Sequence, residues 1–366
     1  MRVLITGGGT GGHCTPAIAV SEALRQTDPG VAISYVGRRG GPESWLVPEA
    51  GIEFQGLRLG SMGSGPLSSA PRLAARLPLV WRQAQAALRQ FRPQVVLATG
   101  GYVCVPVVLA ARRQGLPVLL LEQNLLPGRA VRWLAGRVQL VATSFPDTAA
   151  LLPRARCRCV GNPVRQRFVR LAGPPPRPEA PPSLLVMGGS QGARHLNQVL
   201  LEALPELLRT LPELEVAHLT GPDEEQAVLE EAERRGLPLG SRYSVLGFAT
   251  DVAERLARCS LAVMRAGASS LSEVACLGRP MILVPYPHAG EHQTANAVPY
   301  AQAGAARLIP DQELEPGILA TTVREVLETP GTLQQMAQAS AALARPGAAA
   351  AVAALLGELA QGGRAA

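Results

Sequence analysis

The chain has 366 residues, 47% of them apolar and only 4% aromatic, and carries a formal charge of +7. That length suggests two domains with aliphatic cores, and the charge favours anionic partners such as nucleotides or an acidic membrane face. All 35 basic residues are arginine, which excludes a GxxxxGK phosphate loop, a Schiff-base lysine and a lysine general base.

The cysteines at 14, 104, 157, 159, 259 and 276 form no CxxC pair. Cys157 and Cys159 stand too close for an ordinary metal or disulfide spacing, so all six read as reduced, mostly core residues. The chain opens directly on a strand, so no leader is expected. No apolar run approaches the ~18 residues that a bilayer span needs.

In chain order, "RVLIT" (2–6) reads as a strand, "GGGTGGH" (7–13) as a glycine turn and Pro16 to Leu24 as a helix. Gly7, Gly9 and Gly12 fit the G-x-G-x-x-G dinucleotide fingerprint. The next strand, "VAISYVG", is followed by Arg38 and Arg39, with no acid until Glu43. That pattern leaves an NADP oxidoreductase open. Five glycines cost too much chain entropy for an ordinary turn. Their backbone N–H groups at a helix N-terminus suit an anion or a polar acceptor. His13 is either a structural residue capping that helix or a general base.

"PRLAARLPLVWRQAQAALRQFR" (71–92) places Leu73, Leu77, Val80, Trp81, Ala84 and Leu88 on one helical stripe, with Arg72, Arg76, Arg82 and Arg89 outside it. Pro78 predicts a loop and a helix meeting there rather than one helix. "VVLATGGYV" (95–103) and "PVLLLEQ" (117–123) are buried-type strands. "GPPPRPEAPP" (173–182) is a stiff linker.

The second half repeats the plan. "SLLVMGGSQGAR" (183–194) is a strand and a Gly-Ser turn, followed by the helix "HLNQVLLEALPELLR". "LEVAHLTG", "LAVMRAGAS" and "MILVPYP" supply further strands. In "RAGASSLSEVACLGRP" (265–280) a helix is expected to start near Ser270. Ser270-x-x-Glu273 then reads as a capping box, or Glu273 accepts hydrogen bonds from ribose hydroxyls with the helix N-terminus facing phosphate. "HAGEH" (288–292) matches H-x-x-E-H, but Pro285, Pro287 and Gly290 deny it a helical face. A loop with Gln293 facing a ligand is expected there instead of a metal site. No Asp-x-Asp occurs.

Strand–helix alternation predicts an α/β chain with two parallel-sheet, Rossmann-like domains facing across a cleft. The expected bounds are 1–163 and 183–345, joined by a Pro-rich linker at 164–182 and followed by an Ala-rich helix or tail at 346–366. Ligands bind beyond the carboxyl ends of such strands. Two glycine turns, with Arg165 of "GNPVR" nearby, suit a diphosphate; Arg165 alone reads equally as a solvated surface arginine.

The ordered series "TGGGTGGH", "TGGYVCVP", "LEQNLLPG", "GNPVR", "MGGSQGARHLN", "RAGASSLSE" and "VPYPHAGEHQTANA" resembles the MurG family of bacterial peptidoglycan glycosyltransferases. The resemblance runs from residue 6 to 297. It implies the GT-B fold and inverting, metal-independent transfer of N-acetylglucosamine from UDP-N-acetylglucosamine to undecaprenyl-diphospho-muramoyl-pentapeptide (lipid I), giving lipid II. No cofactor and no nucleic acid are implied. Carried over by motif, donor contacts would be Thr10, Gly11, Gly12, Asn124, Arg165, Ser190, Ala249, Ala268, Ser269, Ser270, Leu271, Ser272, Glu273 and Gln293. His13 is the best-placed base by titration range. Two departures touch the acceptor side: Leu121 stands where the family commonly has histidine, and Gly290-Glu291 replaces a charged pair.

The implied acceptor never leaves the bilayer. A peripheral protein on the cytoplasmic face of the plasma membrane is therefore expected, docking on anionic lipid through Leu73, Leu77 and Trp81, with cell-wall synthesis proteins as further partners. The rivals are the NADP oxidoreductase, a UDP-N-acetylglucosamine 2-epimerase of similar architecture, and a non-catalytic sugar-nucleotide binder.

Overall fold

The computed structural model describes residues 1–9, 11–59, 66–174, 181–189, 192–287 and 291–362, with residues 66–77 as helical backbone only. Chain contacts divide it into two units, residues 1–166 with 345–366 and residues 167–344.

The first unit holds seven parallel strands: β1 (Arg2–Thr6), β2 (Ala32–Arg38), β3 (Glu53–Leu57), β4 (Val95–Ala98), β5 (Val118–Glu122), β6 (Leu140–Thr143) and β7 (Cys157–Cys159). Their order is β3-β2-β1-β4-β5-β6-β7. The helices are α1 (Gly11–Thr27), α2 (Glu43–Glu49), α3 (Pro66–Phe91), α4 (Cys104–Arg113) and α5 (Arg129–Ala135). Next, α6 (Gln166–Leu171) occupies part of the segment expected to be linker. The second unit adds β8 (Ser183–Met187), β9 (Glu215–Leu219), β10 (Tyr243–Leu246), β11 (Leu261–Met264), β12 (Met281–Leu283) and β13 (Ala306–Leu308), ordered β10-β9-β8-β11-β12-β13. Its helices are α7 (Arg194–Thr210), α8 (Glu225–Arg234), α9 (Val252–Arg258), α10 (Ala268–Cys276), α11 (His292–Gln302), α12 (Pro316–Glu328) and α13 (Thr332–Leu343).

Both sheets are doubly wound, and each reverses its strand order once, at β1/β4 and at β8/β11. The strands are apolar runs because helices cover both faces. On one face of the first sheet Val80, Ala84, Leu88 and Phe91 of α3 pack with Leu4, Val36 and Val96. On the other, Val20 and Leu24 of α1 meet the last helix, α14 (Ala348–Gly362), through Val352, Leu355 and Leu356.

The helix expected within 346–366 is thus present as α14, and it packs into the core of the first unit. It also bears on the absence of a bilayer-length apolar run. Thr332–Gly362 is long and apolar enough to cross a membrane by length and composition. The segment is however broken into α13 and α14 around Pro346, and the apolar side of α14 is buried in the protein.

Pro78 does not divide α3, which runs unbroken from Pro66 to Phe91. Pro78 is exposed, so its ring and missing N–H fall on the solvent side, where the ladder loses one bond without a clash in the core. Val80 is 1% exposed, and Trp81 is half-buried against the same core. Among the described side chains of α3, the large apolar one that is exposed is Leu79, off the expected stripe. Leu73 and Leu77 lie where no side chains are described. Four cysteines are buried as expected, whereas Cys159 is exposed on the edge strand β7.

Candidate functional site

In the first unit the turns that follow β1 and β4 meet at the switch point. A Cβ on Gly7 would stand 2.0 Å from Thr99 Oγ1, and one on Gly101 would stand 2.2 Å from the Gly8 carbonyl oxygen. Part of the glycine requirement is therefore set by the protein itself, because two turns cross at backbone contact.

His13 lies in the first turn of α1. Its Nδ1–H donates to the Thr99 carbonyl oxygen at 2.8 Å, and Gln123 Nε2 donates to the same oxygen at 2.8 Å. A carbonyl only accepts, so the neutral ring carries its proton on Nδ1 and has the lone pair on Nε2. The ring bonds across to the end of β4 and does not cap its own helix. Burial lowers the His13 pKa below its ordinary value, opposed by the charge of Glu122, the Thr99 and Gln123 hydrogen bonds and the charge of Glu43.

Glu122 is 1% exposed at the end of β5. Its Oε1 accepts from the Asn124 backbone N–H and from Asn124 Nδ2, at 2.9 and 3.0 Å, and Oε2 accepts from Gly128 N–H at 2.9 Å. The "LEQNLLPG" loop thus folds around one carboxylate, and Asn124 is oriented by it. A second buried carboxylate, Glu43 on α2, accepts from Arg38 N–H at 2.8 Å and Gly9 N–H at 3.4 Å. The Gly9 amide, which the dinucleotide fingerprint turns toward a pyrophosphate, is thus directed at a side chain of the protein. Neither contact was legible as a motif. Glu43 showed only as the first acid after the Arg38–Arg39 pair.

Gly11 and Gly12 open α1, while Thr10 lies outside the described residues. Arg165 is half-buried just before α6, in the first unit.

In the second unit α10 starts at Ala268, with Gly267 as its extended cap residue and no side-chain cap bond. Ser270 is therefore the third helical residue and Glu273 the sixth, so the expected capping box does not form: a box needs its serine at the cap itself. Glu273 is nevertheless only 7% exposed. Ala268 and Ser269 are buried in the first turn, Ser270 and Ser272 half-buried. Ser272 Oγ donates back to the Ala268 carbonyl at 3.0 Å. Leu271 does not fit a donor contact. Its side chain is fully buried, and its N–H donates to the Gly267 carbonyl at 2.9 Å.

Gln293 joins the ends of two strands. Its Oε1 accepts from Ala266 N–H at 3.1 Å and from Tyr286 N–H at 2.9 Å. Both acceptor positions of Oε1 are thus taken by the main chain, which leaves the amide nitrogen as the polar group for any further contact. Arg265, given no role by the sequence, is buried beside them. Its Nη1 donates to the Val284 carbonyl at 3.2 Å and to the Asp311 carboxylate, and the guanidinium lies 5.5 Å from the Tyr286 ring centroid. Ala249 is buried on the loop after β10, next to an exposed Phe248. Ser190 lies outside the described residues.

His288, Ala289 and Gly290 of the "HAGEH" stretch also lie outside them. Glu291 has a left-handed φ of 64° and precedes α11, whose first residue is His292, so the helical face that H-x-x-E-H requires is not formed. Among the described residues no group of three or more His, Cys, Asp or Glu could hold a metal.

Residues 3–143 match the glycosyltransferase family 28 N-terminal domain, and residues 183–352 match its C-terminal domain. A UDP-N-acetylglucosamine–N-acetylmuramyl-(pentapeptide) pyrophosphoryl-undecaprenol N-acetylglucosamine transferase of Halorhodospira halophila is 41% identical over 98% of this chain and 99% of its own. The transferase of the same name from Syntrophotalea carbinolica is 39% identical over 95% and 96%. Among solved structures, MurG of Acinetobacter baumannii superposes with a TM-score of 0.75 at 29% identity, covering 98% of this chain and 99% of its own. A putative UDP-N-acetylglucosamine 2-epimerase of Listeria monocytogenes reaches a TM-score of 0.71 at 15% identity over 98% and 96%, which shows a shared fold alone. The two sheets, the glycine turn at each switch point and full-length identity near 40% agree: the chain belongs to glycosyltransferase family 28, in its MurG branch.

Proposed function

We propose that the chain transfers N-acetylglucosamine from UDP-N-acetylglucosamine to undecaprenyl-diphospho-muramoyl-pentapeptide, forming lipid II with a β-1,4 linkage. The observation that carries this reading is the His13–Thr99 hydrogen bond in a chain whose full-length relatives are named for that transfer. The acceptor hydroxyl attacks the anomeric carbon as UDP departs from the opposite face, so the configuration inverts. His13 Nε2 takes the hydroxyl proton, and burial keeps that nitrogen unprotonated at neutral pH. The N-terminal amides of α10 stabilise the diphosphate without a divalent ion. Glu273 accepts from the ribose hydroxyls, and Gln293 offers its amide nitrogen to the sugar.

The lipid acceptor places the protein peripherally on the cytoplasmic leaflet, docked on anionic lipid. Leu79, exposed on the described part of α3, is the contact, with cell-wall synthesis proteins as neighbours. Labelled UDP-N-acetylglucosamine and a short-chain lipid I analogue test the reaction. Label appearing in a disaccharide lipid supports it. Turnover of donor without acceptor would instead favour epimerisation, and UDP binding without turnover a binding protein.

A further inference from the structure

We infer that Glu43 is a positioning residue for the transfer step, holding the first glycine turn at the height that sets His13 over Gly100 and Gly101. This rests on the reading of His13 as the base.

The carboxylate is fully buried at the start of α2 and accepts from the Arg38 and Gly9 amides. Glycines leave it the space. A Cβ on Gly8 would lie 2.0 Å from Oε1, one on Gly41 2.6 Å from Oε2, and one on Gly37 2.6 Å from Cγ. The caged group is continuous with the catalytic turn. It touches the Gly8–Gly9 segment. The Gly8 carbonyl stands against Gly101, and a Cβ on Gly100 would lie 3.0 Å from His13 Cε1. A shift of the carboxylate therefore reaches the imidazole through three successive contacts along the two glycine turns.

The two amides meet different oxygens, Arg38 N–H at Oε1 and Gly9 N–H at Oε2, so a glutamine could accept from only one of them and would turn its NH2 toward the other. The carboxylate adds a charge beside a ring that becomes an imidazolium when it takes the acceptor proton. Against the burial that lowers the His13 pKa, the charges of Glu122 and Glu43 favour that protonated form. With the nucleotide assigned to α10 and the first glycine turn to the transferred sugar or the acceptor, affinity for UDP, which lacks both, is the control.

The test compares Glu43→Gln, Gly41→Ala and His13→Ala in the full-length protein. The readouts are kcat, the acceptor and donor KM, UDP affinity by calorimetry, and melting temperature. Glu43→Gln is expected to lower kcat about 10- to 100-fold, the scale of a small misplacement of a catalytic group, with UDP affinity within about twofold of the parent. Gly41→Ala, whose backbone carries no positive φ, should do the same by displacing the carboxylate. It should add little in a Glu43→Ala background, where its clash partner is gone. If Glu43→Gln does not fold, Gly41→Ala alone carries the kcat comparison. A Glu43→Gln kcat within about twofold of the parent, or a lowered melting temperature as the only change, overturns the inference while His13→Ala still shows its loss. A near-normal His13→Ala overturns the base reading instead, and this inference falls with it.

Discussion

His13 and Thr99, 86 residues apart in sequence, are joined by a 2.8 Å hydrogen bond from the imidazole Nδ1 to the main-chain carbonyl at the end of β4. That bond selects the tautomer, and the tautomer determines which nitrogen can accept a proton from a substrate. His13→Ala should therefore lower kcat about 10²- to 10⁴-fold with UDP affinity little changed, measured by steady-state kinetics and calorimetry. Because burial lowers the His13 pKa from its ordinary 6.5, the acid limb of kcat/KM should fall below pH 6.5. An acid limb at or above pH 6.5 would point to a different base.

Glu273 is buried in α10 but does not cap it. Glu273→Ala should weaken UDP binding by about 1.5–3 kcal/mol, the range for a hydrogen bond to a charged group. With the capping box absent, the melting temperature should move little. Unchanged UDP affinity in a folded variant would remove Glu273 from the donor site.

A polar network runs through the second core. Tyr243 O–H donates to His218 Nδ1 at 2.8 Å, His218 Nε2–H donates to Asn197 Oδ1 at 3.0 Å, and Asn197 Nδ2 donates to the Thr220 carbonyl at 3.0 Å. Burial pushes the His218 pKa down to about 3. The unfolded chain binds a proton near pH 6.5 while the native chain does not, so the stability that His218 contributes is present above 6.5 and lost as pH falls toward 3. Urea unfolding should therefore lose about 1.6 kcal/mol between pH 6.5 and 5 through this group. A His218→Phe variant should show a pH slope shallower by that amount. Equal slopes would mean that His218 does not titrate on unfolding.

Vesicle co-sedimentation separates docking from folding on α3. Leu79 is 45% exposed, and Trp81 rests on the core. Leu79→Glu should weaken binding to anionic liposomes at an unchanged melting temperature, and Trp81→Glu should lower the melting temperature first. Full vesicle binding by a folded Leu79→Glu would move the docking surface elsewhere.

Transfer should persist in EDTA, because the sequence has no Asp-x-Asp and the H-x-x-E-H stretch has no helical face to hold a metal. Activity lost in EDTA and restored by one divalent ion would refute this.

Local signals were legible where the physics is local. Alternating apolar runs and helical stretches, each strand ended by small residues, predicted two parallel sheets, and the glycines of 7–12 marked a close approach. Helix starts were less legible. Ser270 and Glu273 have the spacing of a capping box, yet Gly267 is the residue that turns the chain into α10. Pro78 reads as a break until its solvent-facing position inside α3 is known.

By itself the sequence determined the sheet-and-helix alternation, the two glycine turns and the ordered motifs of the MurG branch, because periodicity, turn chemistry and motif order are properties of neighbouring residues. Only the tertiary structure decided which donors and acceptors those turns spend on the protein itself. Glu43 reaches back 34 residues to Gly9, Gln293 reaches 27 to Ala266, and α14 returns to cover α1. Such contacts depend on surfaces brought together by burial of apolar area, a term summed over the whole fold that no short stretch of chain encodes.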